Sequence, residues 1–483
     1  MRAAARGLLL LLALLATPVV AQRRDPASPL LPPSHWALAA LGRLDALGLA
    51  GGGYDPGAGS VTRAEAARRL EAAATLAQDR PEVERLVAGY RLRLAEESGS
   101  LHAGAARLEG GFAGDRGALL TGYDRDELHV APAARGGESA PYLAGTVEAR
   151  LTPRLAVALS PRVAGDSLRL ESGYLAAAGG GWRGWAGRRR VGFGAAADGS
   201  LVLGSEVAFD GVGIARDSTR LPGPLGALGP FRFEAFGSRL HAAGAVDDPW
   251  FLALRLWARP HPRLWIAGTR AAAIGGRGNT PVRWTDSPAL LVGLASGVHG
   301  ETENQVASLE ARWRPPMGAL PLVVYGEWAV DDFGWAFVHV PGVTTGVELP
   351  ALPSLPAVSL GVERTGFAAH CCGYPLWYRH SALPWIDRRV PLGHPLGGNG
   401  TEWLAHAGAE LLDARLRLDG RAFLRERGPD NLFAPARRGR SRGGAFSAEW
   451  SVGPRLEAFG SAEVEDGRGW RASTVRAGVR VRY

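Results

Sequence analysis

The sequence contains no lysine, so all 55 of its basic residues are arginine, and the formal net charge is +8. Codon bias in a high-GC genome is one explanation. The functional alternative is that guanidinium forks bind carboxylate or phosphate groups, such as those of acidic sugars. The arginines are spread along the chain and not clustered, which argues against nucleic acid as a partner.

Cysteine is nearly absent: only Cys371 and Cys372 occur, and they are adjacent. This excludes a disulfide framework and a cysteine zinc site. A vicinal disulfide and two loop thiols remain as alternatives. The sequence also lacks a P-loop, G-x-S-x-G and H-E-x-x-H. Residues 179–184 fit G-x-G-x-x-G, but no strand–helix context surrounds them. We therefore expect no enzyme activity and no cofactor.

No internal run reaches the ~18 apolar residues of a membrane helix. The apolar stretch Leu8–Leu15 is shorter, follows Arg2 and Arg6, and precedes the small-residue site Val19-Val20-Ala21. This pattern predicts a signal peptide over residues 1–21 and export of the mature chain. The Pro-rich residues 22–33 are then a linker.

Short segments of alternating polarity fill residues 141–483. In the last one, Val475, Val479 and Val481 share one parity while Arg476 and Arg480 share the other. Side chains alternate between the faces of a strand, so one face is apolar and the other cationic. The segment ends on an aromatic residue, Tyr483, which resembles the final strand of bacterial outer-membrane barrels. A soluble all-β fold is the alternative.

Five predicted hairpins and several long Gly/Pro loops support the barrel interpretation. The paired segments are Gly145–Leu151 with Leu155–Leu159, Trp250–Trp257 with Leu264–Thr269, Val306–Trp313 with Leu322–Trp328, Ala405–Leu411 with Leu416–Leu424, and Phe446–Trp450 with Leu456–Val464. The predicted long loops are 273–303, 331–357, 365–400 and 425–443. At ~9–11 residues a strand, residues 105–483 form an all-β transmembrane antiparallel β-barrel of roughly 14–18 strands. We expect Trp250, Trp257, Trp265, Trp313 and Trp328 to form aromatic girdles at the membrane interfaces.

A small α-helical module precedes the barrel. Residues 34–76 contain two helical patterns separated by a Gly-rich turn, with Thr62 and Glu65 placed as a capping box for the second helix. Residues 77–104 form a helical linker in which a helix begins at Pro81.

The module resembles one S-layer homology (SLH) repeat. The resemblance rests on His35-Trp36, Leu47-Gly48-Leu49, Tyr54-Asp55-Pro56 and Thr62-Arg63-Ala64-Glu65. It implies binding to a peptidoglycan-linked wall polymer through Trp36, Asp55, Arg63 and Glu65. The alternative is that Thr62 and Glu65 only cap a helix and Trp36 only fills a core.

Most of residues 105–483 resemble the Wzi family of capsule-assembly outer-membrane proteins. The similar stretches are WAGRRRVGFG (185–194), GSLVL (199–203), LGALGPFRFEAF (225–236), YGEWAVDD (325–332), YRHS (378–381) and PLGHPLGG (391–398). The resemblance implies a monomeric barrel, with 18 strands favoured, that holds capsular polysaccharide at the cell surface.

Nine residues are candidates for polysaccharide binding, because Arg forks and carboxylates bond sugar hydroxyls while aromatic faces stack on sugar rings. They are Arg188, Arg190, Glu327, Asp331, Asp332, Tyr378, Arg379, His380 and His394. The alternatives are that Glu327 and Arg188 pair in the lumen, that Asp331 and Asp332 hold Ca²⁺ or cap a loop, and that both histidines are structural.

The leading hypothesis is an outer-membrane lectin for capsular or exopolysaccharide, surrounded by outer-membrane lipid and tethered to the cell wall by the SLH-like module. A porin for small solutes or sugars with the same anchor is the alternative, and an open lumen would favour it. An outer-membrane hydrolase is a third hypothesis, with Glu327 and Asp331 or Asp332 as its only candidate carboxylate pair.

Overall fold

We describe the chain from a computed structural model. It describes residues 26–98, 105–117, 139–205, 207–241, 246–279, 303–318, 320–331, 341–368, 377–380, 383–387 and 390–483. The predicted signal peptide (residues 1–21), Asp332 and the Cys371-Cys372 pair lie outside these ranges.

Three helices come first and are followed by strands. The helices are α1 (Trp36–Ala46), α2 (Arg63–Leu76) and α3 (Pro81–Ser98). The strands are β1 (Ala105–Gly117), β2 (Ser139–Thr152), β3 (Leu155–Ala164), β4 (Ser167–Gly179), β5 (Trp182–Arg190), β6 (Ala208–Arg220), β7 (Pro230–Arg239), β8 (Trp250–His261), β9 (Leu264–Ile274), β10 (Glu303–Trp313), β11 (Val323–Asp331), β12 (Pro341–Leu349), β13 (Val358–Phe367), β14 (Ile386–Asp387), β15 (Val390–Pro391), β16 (Gly400–Leu411), β17 (Leu416–Arg427), β18 (Gly439–Ser451), β19 (Leu456–Gly467) and β20 (Trp470–Arg482). A short 3₁₀ turn, Gly223–Leu228, lies between β6 and β7.

The strands close into one barrel. An 18-stranded sheet includes every strand except the small β14–β15 hairpin. Each strand pairs antiparallel with its neighbours, and β1 pairs with both β2 and β20, which leaves no free edge. The predicted barrel and the favoured strand number are therefore confirmed, as are all five predicted hairpins. In the described ranges, none of the helices is long and apolar enough to cross a bilayer.

The two faces of the strands differ as the alternation predicts. On β20, Val475 and Val479 are exposed outward, at 44% and 47%. Arg480 has the opposite parity, and its guanidinium bonds Glu109 at 2.7 Å and Glu457 at 2.5 Å inside the barrel. The outer wall is thus apolar and the interior charged, which is the reverse of a soluble protein.

Two sequence expectations about the barrel are wrong. Trp257 and Trp265 do not belong to a membrane girdle: they face the lumen and are 1% and 3% exposed. Trp313 and Trp328 do face outward, at 47% and 42%. The predicted loop 331–357 contains strand β12, which sequence analysis missed because Pro341, Gly342 and Gly346 interrupt its alternation.

The barrel has two unlike ends. The turn end includes the tight connections 153–154, 262–263 and 412–415, and the loop end includes the long connections 191–207 and 368–399. The helical module (residues 26–98) closes the turn end. Its apolar cluster includes Ala414 from one of these turns. At Gly89 of α3 a Cβ atom would lie 2.1 Å from the carbonyl oxygen of Asp413, so only glycine allows this approach.

Two connections from the loop end fold into the barrel. The infolded loop (residues 191–205) and the cap loop (the described residues of 377–399) form one apolar cluster with lumen-facing side chains of β6 to β8. Trp385 donates from Nε1 to the carbonyl of Val202 at 2.9 Å, and Gly204 N–H donates to Leu392 at 2.7 Å. The interior is therefore occupied by the chain itself from both ends.

Candidate functional site

Trp36 and Arg63, two of the predicted wall-contacting residues, lie inside the barrel mouth. Arg63 Nε donates to Glu148 of β2 at 2.5 Å, and Trp36 Nε1 donates to Glu97 at 2.6 Å. Both side chains are buried. Burial disfavours a charged Arg63, but Glu148 and Glu97 more than offset this and raise the pKa of its guanidinium.

Glu65 joins the module to strands β5 and β7 of the barrel. Thr62 Oγ1 accepts from the backbone N–H of Glu65 at 3.0 Å, as the predicted cap requires. The Glu65 carboxylate instead accepts from Arg183 at 2.6 Å and from Arg232 at 3.0 Å. Burial alone would raise the pKa of Glu65, yet these arginines and Arg69 hold it well below its usual value.

Asp55 is also bonded to a buried arginine of the barrel wall, on strand β8. Arg255 of β8 donates to Asp55 at 2.8 Å and to Glu310 of β10 at 2.6 Å. The side chain of Arg255 is 1% exposed and that of Asp55 2%. Asp55, Arg63 and Glu65 thus link the module to the barrel, and Trp36 is bonded within the module. Their wall-binding role stays a prediction, and these contacts give it no support.

Glu327, predicted to bind polysaccharide, is an interior anchor. Its carboxylate accepts from Ser200 Oγ at 2.8 Å and from Leu201 N–H at 2.9 Å, both in the infolded loop. Arg188 is elsewhere: it is on the outer wall of β5, paired with Asp210 of β6 at 2.7 Å. The alternative that Glu327 and Arg188 pair in the lumen is therefore wrong.

A buried charge cluster joins the infolded loop to the cap loop. Asp198 accepts from Arg425 at 3.1 Å, and Arg425 also bonds Glu402. His394 lies beside them, with Nε2 4.0 Å from Glu402. Burial lowers the pKa of His394 to about 4. Arg425 lowers the pKa of Asp198 against the effect of burial.

Asp198, His394 and Glu402 lie close enough together to hold a metal ion. Two contacts oppose this use. Arg425 occupies both carboxylates, and His394 Nδ1 accepts from Leu396 N–H at 3.1 Å, so the ring proton is on Nε2. We interpret the cluster as a structural contact that holds the infolded loop and the cap loop together.

Tyr378 and Asp331 also make structural contacts with the loops inside the barrel. The Tyr378 hydroxyl donates to the carbonyl of Leu201 and accepts from His394 N–H at 3.0 Å. Burial raises the pKa of Tyr378 well above its usual value. Asp331 accepts from the backbone N–H of Trp377 at 2.6 Å. Tyr378 is fully buried, and Asp331 is partly buried.

Four other predicted polysaccharide-binding residues keep access to the outside. Arg379 is exposed and donates from Nη1 to the carbonyl of Pro429 at 3.2 Å. His380 is partly exposed and accepts at Nδ1 from Leu383 N–H at 3.0 Å. Arg188 and Arg190 are partly exposed near the loop end of β5. Asp332 lies outside the described residues.

Sequence analysis missed the lumen-facing arginines that fix the filled interior. The clearest are Arg183, Arg232, Arg255, Arg425 and Arg480. One signal was present, since each has the parity opposite to the apolar face of its strand. The acidic residues that pair with these arginines could not be predicted from the sequence, because they lie in distant parts of the chain.

A closed antiparallel barrel with an apolar outer wall, a charged interior and no free edge is an outer-membrane β-barrel. The family model described as "Capsule assembly protein Wzi" matches residues 81–474. The chain belongs to this family and is an outer-membrane protein.

Solved structures show the same fold. The Escherichia coli protein described as "Wzi, an outer membrane protein involved in group 1 capsule assembly" and as a carbohydrate-binding β-barrel is similar over 94% of this chain and 99% of that chain, with 17% identity and a TM-score of 0.73. Two Pseudomonas aeruginosa proteins are more distant. OccK10 (OpdN) has 12% identity over 79% of this chain and 99% of that one, with a TM-score of 0.46. OpdQ has 9% identity over 79% and 97%, with a TM-score of 0.47. No curated protein matches the chain.

Proposed function

We propose that the protein binds an acidic surface polysaccharide and helps to hold or assemble it at the outer face of the cell. The observation that carries this proposal is the match to the capsule-assembly family over residues 81–474. The E. coli protein of the same fold is described as carbohydrate-binding. Family membership indicates the kind of function. The structure indicates which surface of this chain is available for binding.

The filled interior supports a binding role over the porin alternative. Solute passage needs a continuous aqueous path, whereas here Arg255 links Asp55 of the module to two barrel strands. Glu327 and Tyr378 hold the infolded loop inside the barrel by hydrogen bonds. The buried ion pairs of Arg255 oppose opening, because separating them leaves uncompensated charges.

The cell-surface end is the loop end, since turns face the periplasm in barrels of this class. There, Arg379 and His380 present polar groups outward from the cap loop. The cap loop is braced internally by the bond between His394 N–H and Tyr378, and Tyr378 anchors it to Leu201 of the infolded loop. A planar guanidinium on such a fixed support suits the carboxylate of a uronic-acid residue. We propose Arg379 as the first residue to contact the polysaccharide.

Neither a wall tether nor a catalytic step is part of the proposal. Trp36, Asp55, Arg63 and Glu65 are bonded within the docked module and to the barrel. Glu327 is occupied by N–H and O–H donors of the infolded loop, so it does not form a carboxylate pair around a substrate.

The test is polysaccharide binding by the purified full-length barrel in detergent. The probes are the surface polysaccharide purified from the host strain and polygalacturonic acid, with neutral dextran as a comparison. We expect the host polysaccharide to be retained and Arg379→Ala to weaken retention roughly tenfold, the loss of one charge-assisted contact. Arg277→Ala is the matched control, because Arg277 is exposed at the same end and already paired with Asp248. Equal retention of dextran, or no retention of the host polysaccharide, would reject the proposal.

A further inference from the structure

The outer wall formed by β13 and β16 to β20 carries a lateral row of exposed residues. Strand register pairs them across neighbouring strands, and each lies one to three residues from the loop end of its strand. The row runs Arg364, Trp403, Leu424, Arg442, Asp466 and Arg471. All six are exposed, and Trp403 and Leu424 are exposed at 53% and 60%. The row therefore combines three arginines, two large apolar side chains and one aspartate on the membrane-facing wall.

A groove lies directly below this row, toward the turn end. Two residues further along each strand, the register aligns Ala405, Ala422 and Gly444, three small residues. The larger side chains of Trp403 and Leu424 stand over them. The groove so formed has a volume of about 560 Å³, and Arg442 lines its upper edge. Its lining is mainly apolar, so it fits a hydrocarbon chain.

The row marks the upper edge of the apolar wall. Toward the loop end, the next outward-facing residues are polar: Thr401, Glu426 and Arg440. Arg440 is 86% exposed and pairs with Glu426 at 3.2 Å. Strand β17 ends just beyond, at Arg427. This level is the boundary between hydrocarbon and headgroups on the cell-surface side.

The cations at this boundary outnumber the acids. Arg364, Arg440, Arg442 and Arg471 face outward, and Arg468 lies in the adjoining turn. Their outward acidic neighbours at the same level are Glu426 and Asp466. Within the described part of the chain, Arg442, Arg468 and Arg471 make no ion pair, and Arg364 lies over the Trp403 ring at 5.6 Å. Unpaired guanidinium groups beside an apolar groove match an acyl chain joined to a phosphate.

We propose that this groove and arginine row bind one phosphorylated, acylated glycolipid of the outer leaflet. An acyl chain lies over Ala405, Ala422 and Gly444, and a phosphate bridges Arg442 and Arg471. The proposal does not depend on polysaccharide binding, because it concerns the lateral wall and not the loop end. It gives the barrel a fixed lipid neighbour at β16 to β20.

The probe is hexa-acylated bisphosphoryl lipid A, added to the purified full-length barrel in detergent and followed by native mass spectrometry. We expect one retained molecule, and weaker retention of the dephosphorylated form and of phosphatidylethanolamine. Arg442→Ala combined with Arg471→Ala removes the phosphate partners, and we expect at least a roughly tenfold weaker retention. Ala422→Leu fills the groove from an exposed position and is expected to have a similar effect.

Arg455→Ala is the matched control, because Arg455 is an exposed arginine in the turn at the opposite end of β18 and β19. Retention should be unchanged in that variant, and heat-modifiable gel mobility should show a folded barrel in all of them. Unchanged retention in either the double arginine variant or Ala422→Leu would overturn the proposal. So would equal retention of lipid A and phosphatidylethanolamine, which is the result for nonspecific boundary lipid only.

Discussion

At the scale of single residues, Glu65 shows how one side chain has a local and a distant role. Its position three residues after Thr62 is readable from sequence as a helix cap, and that cap is present. Its carboxylate partners, Arg183 and Arg232, are 118 and 167 residues away. No periodicity in the chain specifies such a pair, because it depends on how the module docks. The same limit applies to Asp55 and Arg255.

Glu65→Gln tests this junction. The change leaves Arg183, Arg232 and Arg69 without their shared buried anion, and breaking a buried pair costs about 3 kcal/mol or more. We expect the free energy of undocking the module to fall by that order, measured as faster hydrogen exchange along α2.

Glu71→Gln is the control on the same helix. Glu71 is 65% exposed and its partner Arg91 43%, so screening by solvent limits its contribution to about 0–1 kcal/mol. Equal exchange in the two variants would show that the Glu65 cluster does not hold the module.

At the scale of elements, a regular alternation of polar and apolar residues predicts a strand, whereas a strand whose alternation is interrupted is missed. Strands β19 and β20 follow the pattern over 12 and 13 residues, and both are predicted within about three residues of their ends. Strand β18 is predicted too short, because its first five residues, 439–443, fall in the predicted loop 425–443. Strand β12 was missed because proline and glycine, which usually mark turns, begin and interrupt it. Trp257 and Trp265 were assigned to the wrong face because tryptophan near a strand end suits both a girdle and a filled lumen.

The infolded and cap loops were beyond sequence prediction for a different reason. Their apolar residues, such as Leu201 and Trp385, show no periodicity that distinguishes a buried loop from an exposed one. Their packing depends on strands more than 100 residues away, as in the contact of Leu201 with Glu327. Tyr378 and His394 do lie in the predicted loop 365–400. Both side chains are buried, however, so neither is available to a ligand in solution.

The contact between these loops should weaken in mild acid. His394 has a pKa of about 4 when buried and about 6.5 when the loop opens, so the open state binds a proton first. Stability is fully present above pH 6.5 and is lost as the pH falls toward 4. At pH 5 the loss is about 2 kcal/mol by linkage. The lowered pKa of Asp198 acts in the same direction, but only below its ordinary value of 3.8.

Hydrogen exchange of residues 191–205 and 390–399, corrected for the intrinsic rate, measures this effect. Between pH 7.5 and pH 5 we expect protection to fall roughly 30-fold further in the unmodified protein than in His394→Gln, which lacks the titrating ring. A variant with the same pH dependence as the unmodified protein would exclude His394 as the cause.

At the scale of the whole molecule, the barrel is a closed wall around an interior built from its own two ends. The helical module fills the turn end, and the infolded and cap loops fill the other. This filling supports the proposed binding role over the porin alternative. The apolar outer wall, readable as alternation, predicts the membrane location. The filling of the lumen is a long-range property that appears only in the structure.

Planar-bilayer recording of the purified protein tests the closure. Because buried ion pairs and an apolar cluster occupy the interior, we expect no stable open-channel current. Occasional brief openings are compatible with local exchange of the loops. A large, steady conductance from correctly folded protein would restore the porin hypothesis.

We propose that the protein holds acidic polysaccharide at the cell surface. The most direct measurement compares cell-bound and released uronic acid in the host strain, in a strain lacking this chain, and in that strain complemented with the unmodified protein or Arg379→Ala. We predict that total polysaccharide stays constant while the released fraction rises without the protein. The unmodified chain should reverse this rise, and Arg379→Ala should reverse it only in part. An unchanged distribution between cells and medium in the strain lacking the protein would contradict the account.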